Sequence, residues 1–381
     1  MSNEALQPIV CQIFKSQVQL APHPSDVTPE NRFLVIRGKH NILRWILPVN
    51  PKEGLAGLQF WEPYDLASRI KWNTILTAYK LGQLHHLPGV QTIGVDHVDF
   101  KQWSHLTGRE NQMAYTPVVY LAEPSPRQKA VVFLVNPSRQ ECQFVGKFPL
   151  GAIAGRKINH EAEMLIHVGE QHAGIAPSLC HQNLLNGTSL QTAQAFQGTG
   201  RALTTQHVEW LLQFHSGKRM SVLAETHQLI QRLTTLDTLP DPIQRWAIAQ
   251  CERLNRHPME VPMVIQHGDF APWNLKRLPG GALFAVDWEE GKIEGLPLYD
   301  LVHFCFIQNY LRGQQLNIVP ILLKSLPVQN YIQALSLSPD YLRWVFRYFL
   351  LDYWCRQLEE RDEAKAQQFY LAIQPILAEG D

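Results

Sequence analysis

The 381-residue chain carries no net charge: 34 Lys and Arg balance 34 Asp and Glu. A surface without a field of one sign gives no general attraction to nucleic acid or to an anionic membrane. The six cysteines (Cys11, Cys142, Cys180, Cys251, Cys305, Cys355) are scattered, with no C-x-x-C pair. That spacing argues against a disulfide framework or a thiolate zinc site, and fits reduced, mostly buried thiols in a cytoplasmic protein. No apolar run reaches membrane-spanning length; residues 317–325 are too few and include Lys324. The start Met1-Ser2-Asn3-Glu4 lacks the basic flank and apolar core of a secretory signal. There is no G-x-x-x-x-G-K-[ST] phosphate loop, no internal repeat and no low-complexity segment. What is present in quantity is aromatic: 10 Trp and 16 Phe, the composition of a folded chain. The length allows two or three domains or one large two-lobed unit.

Three sections are expected along the chain. Residues 1–110 form a first α/β section, with short strands at 32–37 and 42–48 around a Gly38-Lys39-His40 turn and a helix over 66–82. No catalytic constellation is visible there, and a supporting extension packed on the β-rich section is the expectation. Residues 111–200 are strand-rich, with β-branched and aromatic runs at 117–121, 130–135 and 143–148, a helix from about 159 to 170, and a further strand over 190–196. From 201 to 381 the signals are helical. Val208, Leu211, Leu212 and His215 repeat at i, i+3, i+4 and i+7, with Thr204 or Thr205 as N-cap, which puts His215 half-buried on a helix face. Further helices are expected over 243–256, 299–311 and 341–358. A β-rich lobe, a glycine-bearing connector and a helical lobe leave a cleft between lobes, a usual place for a nucleotide.

The chemistry concentrates in two segments. His267-Gly268-Asp269-Phe270-Ala271-Pro272-Trp273-Asn274 comes after the apolar run Val264-Ile265 and reads as a strand entering an H-x-D-x-x-x-x-N loop. Ala282-Leu283-Phe284-Ala285-Val286-Asp287-Trp288-Glu289 is a second apolar strand ending in an aspartate. The Leu278-Pro279-Gly280-Gly281 turn joins them as a hairpin. One aspartate beside a reacting hydroxyl, with an Asn and a second Asp beside metal-bound phosphates, is the pattern of phosphoryl transfer.

These residues resemble the aminoglycoside phosphotransferase and choline kinase-like family, relatives of the protein kinases, over roughly residues 115 to 310. The resemblance implies an α+β, two-lobed protein kinase-like fold with a β-rich N-lobe and a helical C-lobe, here with an extra N-terminal α/β section. It implies that Asp269 orients and partly deprotonates the acceptor hydroxyl, that Asn274 and Asp287 hold Mg²⁺ against ATP phosphates, and that His267 packs the loop. Asp300, in Pro297-Leu298-Tyr299-Asp300-Leu301, matches an aspartate that braces the loop, a role compatible with a helix N-cap. Lys147, in Val145-Gly146-Lys147-Phe148, matches the lysine on the α- and β-phosphates. Its partner is Glu161 or Glu163; about 200° of helix separates them, so only one can face the strand, and Glu161-x-x-x-Leu165 fits the family better. The nucleotide loop, residues 123–129, has no glycine, and Pro124 and Pro126 remove two donors, which leaves Ser125 as the contact.

The expected function is therefore an ATP- and Mg²⁺-dependent phosphotransferase acting on a hydroxyl of a small metabolite: a sugar, an amino alcohol or an aminoglycoside-like compound. The competing reading is a catalytically weak nucleotide-binding scaffold that acts through partners. A protein kinase is disfavoured by Asp287-Trp288-Glu289 in place of D-F-G and by the absence of A-P-E. Two features bear on the acceptor. The acidic run Glu359, Glu360, Asp362, Glu363 reads as a solvated helix face. Trp344, Tyr348, Tyr353 and Trp354 have the chemistry of a quaternary-ammonium cage but the helical spacing of core residues.

Overall fold

Strand Arg32-Phe33-Leu34-Val35-Ile36-Arg37 shows how the first half of the chain is built. Its four central residues are all buried, yet alternate ones enter different cores. Phe33 and Val35 join one hydrophobic cluster, Leu34 and Ile36 another. A strand with period-two geometry that is apolar at every position belongs in a sheet covered on both faces. The computed structural model, which describes residues 11, 23–61, 63, 66–95, 98, 114–183, 186–198, 200–236 and 239–378, has this sheet. Its strands are β1 (Arg32–Arg37), β2 (Leu43–Pro48), β3 (Val90–Gly94), β4 (Thr116–Leu121), β5 (Lys129–Asn136), β6 (Glu141–Pro149), β7 (Leu179–Asn183) and β8 (Thr188–Thr192). The order is β3-β1-β2-β4-β5-β6-β8-β7, with antiparallel neighbours throughout.

The chain divides into two compact units. One is Met1–Gly198 with Arg277–Phe284, the other Thr199–Lys276 with Ala285–Asp381. In the first, β2 pairs with β4, so the N-terminal section and the β-rich section share one sheet. Helices α1 (Pro51–Leu58) and α2 (Leu66–Lys80) supply Leu58, Trp72 and Tyr79 to the cluster over one face. There Trp45 stacks on Trp72 at 5.1 Å. Helix α3 (Ala154–Gln171) buries Ile158, Ala162, Leu165 and Val168, an amphipathic stripe at helical spacing. It begins five residues earlier than the sequence pattern suggests. The expected strand over 190–196 is instead β8, ending at Thr192; β7, polar and only partly buried, carries no apolar alternation by which to read it. A two-residue strand, β9 (Gln197–Gly198), closes this section.

The second unit is mostly helical: α4 (Thr205–Leu212), α5 (Val222–Thr234), α6 (Asp241–Leu254), α7 (Tyr299–Leu311), α8 (Val319–Lys324), α9 (Leu326–Ala334), α10 (Pro339–Glu359) and α11 (Glu363–Ala378). Strand β10 (His215–Ser221) pairs with β11 (Glu260–Gln266), which pairs with β14 (Lys292–Gly295). The expectation for His215 is wrong: α4 stops at Leu212, and His215 is an exposed residue opening β10. The backbone there pairs with Val264, and that ladder overrides the local 3.6-residue pattern. Helices α7 and α10 are buried nearly all round, which marks central core helices. Trp344, Tyr348 and Trp354 are core residues, with polar tips satisfied by the Leu254 carbonyl, Glu225 and the Ala366 carbonyl. The acidic run is not simply solvated either: Arg232 holds Glu359 through two bonds of 2.8 and 2.9 Å, and Glu360 is buried. Among the described residues, no helix is long and apolar enough to cross a membrane.

Candidate active site

A hairpin brings the H-x-D-x-x-x-x-N loop and the aspartate after it together. Strands β12 (Leu275–Arg277) and β13 (Leu283–Ala285) are joined by a turn in which the Leu278 N–H donates to the Ala282 carbonyl at 2.9 Å. The ladder extends past the strands, with the Val286 N–H on the Asn274 carbonyl at 2.9 Å. Asn274 and Asp287 thus lie at the same end of one hairpin. Asp287 has φ +70°, a left-handed conformation that aspartate tolerates better than most residues.

Within the loop, Asn274 donates its amide to the Asp269 carbonyl at 2.9 Å and to Asp269 Oδ2 at 2.8 Å. A backbone carbonyl only accepts, so the amide nitrogen faces Asp269 and Oδ1 is the atom left to coordinate a cation. His303, on α7, places Nε2 3.4 Å from Asp269 Oδ1. About a third of the Asp269 side chain is open to solvent. Burial and then the charges of Asp287, Glu290 and Glu289 push its carboxyl up to about 8, with Arg356 opposing. Burial, joined by the Arg356 charge, drives His303 down to about 3, so its imidazole is neutral.

The loop is held from behind. Asp300, on the first turn of α7, accepts from the His267 N–H at 2.8 Å and from the Gly268 N–H at 2.9 Å. Burial raises its carboxyl to about 6, against those two bonds and Arg356, which lower it. His267 accepts the Asp269 N–H on Nδ1 at 3.3 Å, so the ring proton resides on Nε2 and is donated to the Val286 carbonyl at 3.0 Å. Its ring lies 4.6 Å from that of Trp288, which is fully buried. Gly268 has φ +79°, and a Cβ there would come 2.0 Å from the Glu290 carbonyl oxygen. The glycine of H-G-D therefore permits contact between the loop and the segment after Asp287.

In the first unit, Lys147 on β6 and Glu161 on α3 form a buried ion pair at 2.6 Å. Glu163 points away, largely exposed and 4.0 Å from His160. Glu161 Oε2 has no hydrogen-bond partner among the described residues. Ser125 lies half-buried in the β4–β5 loop. That loop is pinned to the β6–α3 connection: the Gln128 carbonyl accepts the Leu150 and Gly151 N–H groups, both at 2.8 Å, and the Pro126 carbonyl accepts that of Ile153 at 2.9 Å. A side chain at Gly151 would strike the Pro126 oxygen at 2.2 Å.

The family of phosphotransferase enzymes matches residues 145–343, more than half of the chain and all of the loop and hairpin described above. The chain belongs to the phosphotransferase enzyme family. No curated protein matches it. Among solved structures, it is similar to choline kinase LicA from Streptococcus pneumoniae, at 11% identity over 72% of this chain and 92% of that one, TM-score 0.46. A macrolide 2'-phosphotransferase type I matches at 11% over 74% and 98%, TM-score 0.45. A GDP and kanamycin complex of APH(2")-IIia matches at 12% over 68% and 92%, TM-score 0.45.

His303, Glu290 and Arg356 escape a reading of the sequence alone. A signal existed for two of them: His303 lies three residues after Asp300 in an apolar helix, and Asp352 and Arg356 form an i,i+4 pair inside a long apolar one.

Proposed function

We propose that the chain transfers the γ-phosphoryl group of ATP, with Mg²⁺, to a hydroxyl of a small metabolite. The observation that carries this reading is the convergence of Asp269, Asn274 and Asp287 at one end of a hairpin. In the reaction the acceptor oxygen bonds to the γ-phosphorus, the bond from that phosphorus to the bridging oxygen of ADP breaks, and ADP leaves with the electron pair. The acceptor proton passes to Asp269 in its ionised form, which its raised carboxyl makes the minority species at neutral pH. Asn274 keeps that carboxylate turned toward the acceptor, and His303, neutral and buried, approaches its other oxygen. Catalysis here is positioning and charge neutralisation rather than covalent chemistry.

The donor set suits Mg²⁺, which takes one or two protein oxygens and completes its shell with water and phosphate. Asn274 Oδ1 and the Asp287 carboxylate would be those oxygens. Among the described residues no cluster of three or more His, Cys, Asp or Glu side chains is arranged to hold a metal alone. The cation neutralises phosphate charge when bound. Lys147, steadied by Glu161, is assigned to the α- and β-phosphates, and Ser125 to a further phosphate contact.

The pinned, proline-bearing β4–β5 loop favours a second reading, a catalytically weak nucleotide-binding scaffold that acts through partners. A screen of ATP consumption against a library of hydroxylated metabolites, run beside Asp269→Asn, separates the two. We expect Asp269→Asn to fold and to lose at least about 10²-fold in kcat on the acceptor found. Equal turnover by wild type and mutant would remove Asp269 from its role, and no turnover on any acceptor would favour the scaffold.

A further inference from the structure

We propose that Arg356 is a positioning residue for phosphoryl transfer, gripping the catalytic loop at the Gly268 carbonyl while Asp300 holds the Gly268 amide, and keeping Asp269 aligned with Asp287. This role rests on the phosphotransfer reading of the site.

Arg356 lies near the end of α10, 88 residues from the loop in sequence and beyond the family match, which stops at 343. Its side chain is 15% exposed. Nη1 donates to the Gly268 carbonyl at 3.2 Å. Asp300 takes the N–H groups of His267 and Gly268. Gly268 is thus held at its amide by a carboxylate and at its carbonyl by a guanidinium. The same Nη1 lies 3.5 Å from Glu290 Oε2, three residues after Asp287. Glu290 is also the residue whose carbonyl packs against Gly268. One planar group therefore touches both segments at the point where they meet.

Arg356 is itself fixed. Nη2 donates to the Tyr299 hydroxyl at 2.5 Å, that hydroxyl donates to Asp352 Oδ2 at 2.5 Å, and Nε lies 3.4 Å from the same oxygen. Arg232 holds Asp352 Oδ1 at 2.6 Å. Tyr299 and Asp300 are adjacent, so both grips on Gly268 are rooted in the first turn of α7. Several donors in one rigid plane reach the Gly268 carbonyl, Tyr299 and Asp352 together, which a lysine ammonium on a flexible stem does not reproduce. Charge balance for Asp352 needs only a cation nearby; contact with Gly268 is the part that bears on chemistry.

The test compares Arg356→Lys with Arg232→Lys, a control in the same network that does not contact Gly268. Thermal melting, Mn²⁺·ATP binding followed by electron paramagnetic resonance, and hydrolysis of Mg·ATP with water as acceptor are measured on each full-length protein. Both variants should lower the Tm. Only Arg356→Lys should change the Mn²⁺ line shape in the ATP complex and lose about 10-fold or more in kcat, with the KM for ATP within about twofold, because a misplaced loop weakens the transition state more than nucleotide binding. Unchanged kcat and line shape in Arg356→Lys, or an equal loss in Arg232→Lys, overturns the proposal. Should Arg356→Lys not fold, Tyr299→Phe decides in its place: it removes the partner of Nη2 and keeps the charge, and wild-type kcat and line shape in that variant overturn the proposal. Failure of the wild type to bind Mn²⁺·ATP overturns the functional reading and this one with it, whereas normal binding with an unaffected Arg356→Lys overturns this one alone.

Discussion

Replacing Gly268 by alanine tests how tightly the site depends on its loop. At φ +79°, an alanine pays about 1–2 kcal/mol for the left-handed backbone. Space adds to this, since the new Cβ would meet the Glu290 carbonyl oxygen at 2.0 Å and its carbon at 2.7 Å. Both obstacles are backbone atoms, and a Cβ contact is not tolerated below 3.0 Å. The loop and the segment after Asp287 must therefore part by about 1 Å in a densely packed region. Asp269 is the next residue on one side of that contact, and Asp287 is three residues away on the other. A misplacement of about 1 Å at a catalytic site costs roughly 10²-fold in rate, which corresponds to about 2.7 kcal/mol of transition-state stabilisation. The expected result is a folded protein with a lowered Tm, a kcat down about 10²-fold, and a smaller change in the KM for ATP, because Lys147 and Glu161 are untouched. Steady-state kinetics on the acceptor found by screening, with a melting curve beside them, give the answer. A kcat within about threefold of wild type would refute the reasoning, for it would mean that the loop–segment contact does not set the geometry of Asp269.

Other perturbations address the remaining parts. ATP should raise the Tm only when Mg²⁺ is present, contributing about 2.7 kcal/mol at 100 times Kd, and Asp287→Ala should abolish the metal dependence; a melting curve indifferent to millimolar Mg·ATP counts against the nucleotide site. Lys147→Ala should raise the KM for ATP, lower kcat, or both, and Glu161→Ala should give a milder, non-additive version, while the exposed Glu163→Ala is silent; a defect in Glu163→Ala and none in Glu161→Ala would break the assignment. Asp352 gives a pH dependence of stability. Burial alone would raise its carboxyl, but Arg356, Arg232, Lys292 and the Tyr299 hydroxyl hold it well below the usual carboxylate range. Its folded value being depressed, its contribution is complete above the unfolded value of about 3.9 and is lost as pH falls through the folded value. Asp352→Asn should remove that part of the acid slope in denaturant titrations and, by taking a carboxylate from two half-buried guanidinium groups that keep other partners, cost about 1–3 kcal/mol at neutral pH; an unaltered acid slope would show that Asp352 is not its source.

The sequence by itself determined the elements whose signal is local. The helix over 299–311 and the strand over 32–37 appear with the bounds that periodicity suggests, because an apolar run of fixed period needs only its neighbours to declare itself. The Pro279-Gly280-Gly281 turn and the apolar strand after it likewise announce the hairpin that carries Asn274 and Asp287, but its other strand, Leu275-Lys276-Arg277, is not apolar, and the apolar run Val264-Ile265 lies in β11 beside β10 and β14 instead. Where the signal was local but outvoted, as at His215, the pattern misled: a strand partner some fifty residues away decided the backbone. Only the tertiary structure decided what holds the loop. Nothing near Gly268 in the sequence says that its missing side chain makes room for Glu290, and nothing near Arg356 says that its guanidinium reaches the loop carbonyl. Propensity and periodicity are properties of a few consecutive residues, whereas a buried carboxylate or guanidinium takes its partners from whatever the packing of distant helices brings within about 3 Å.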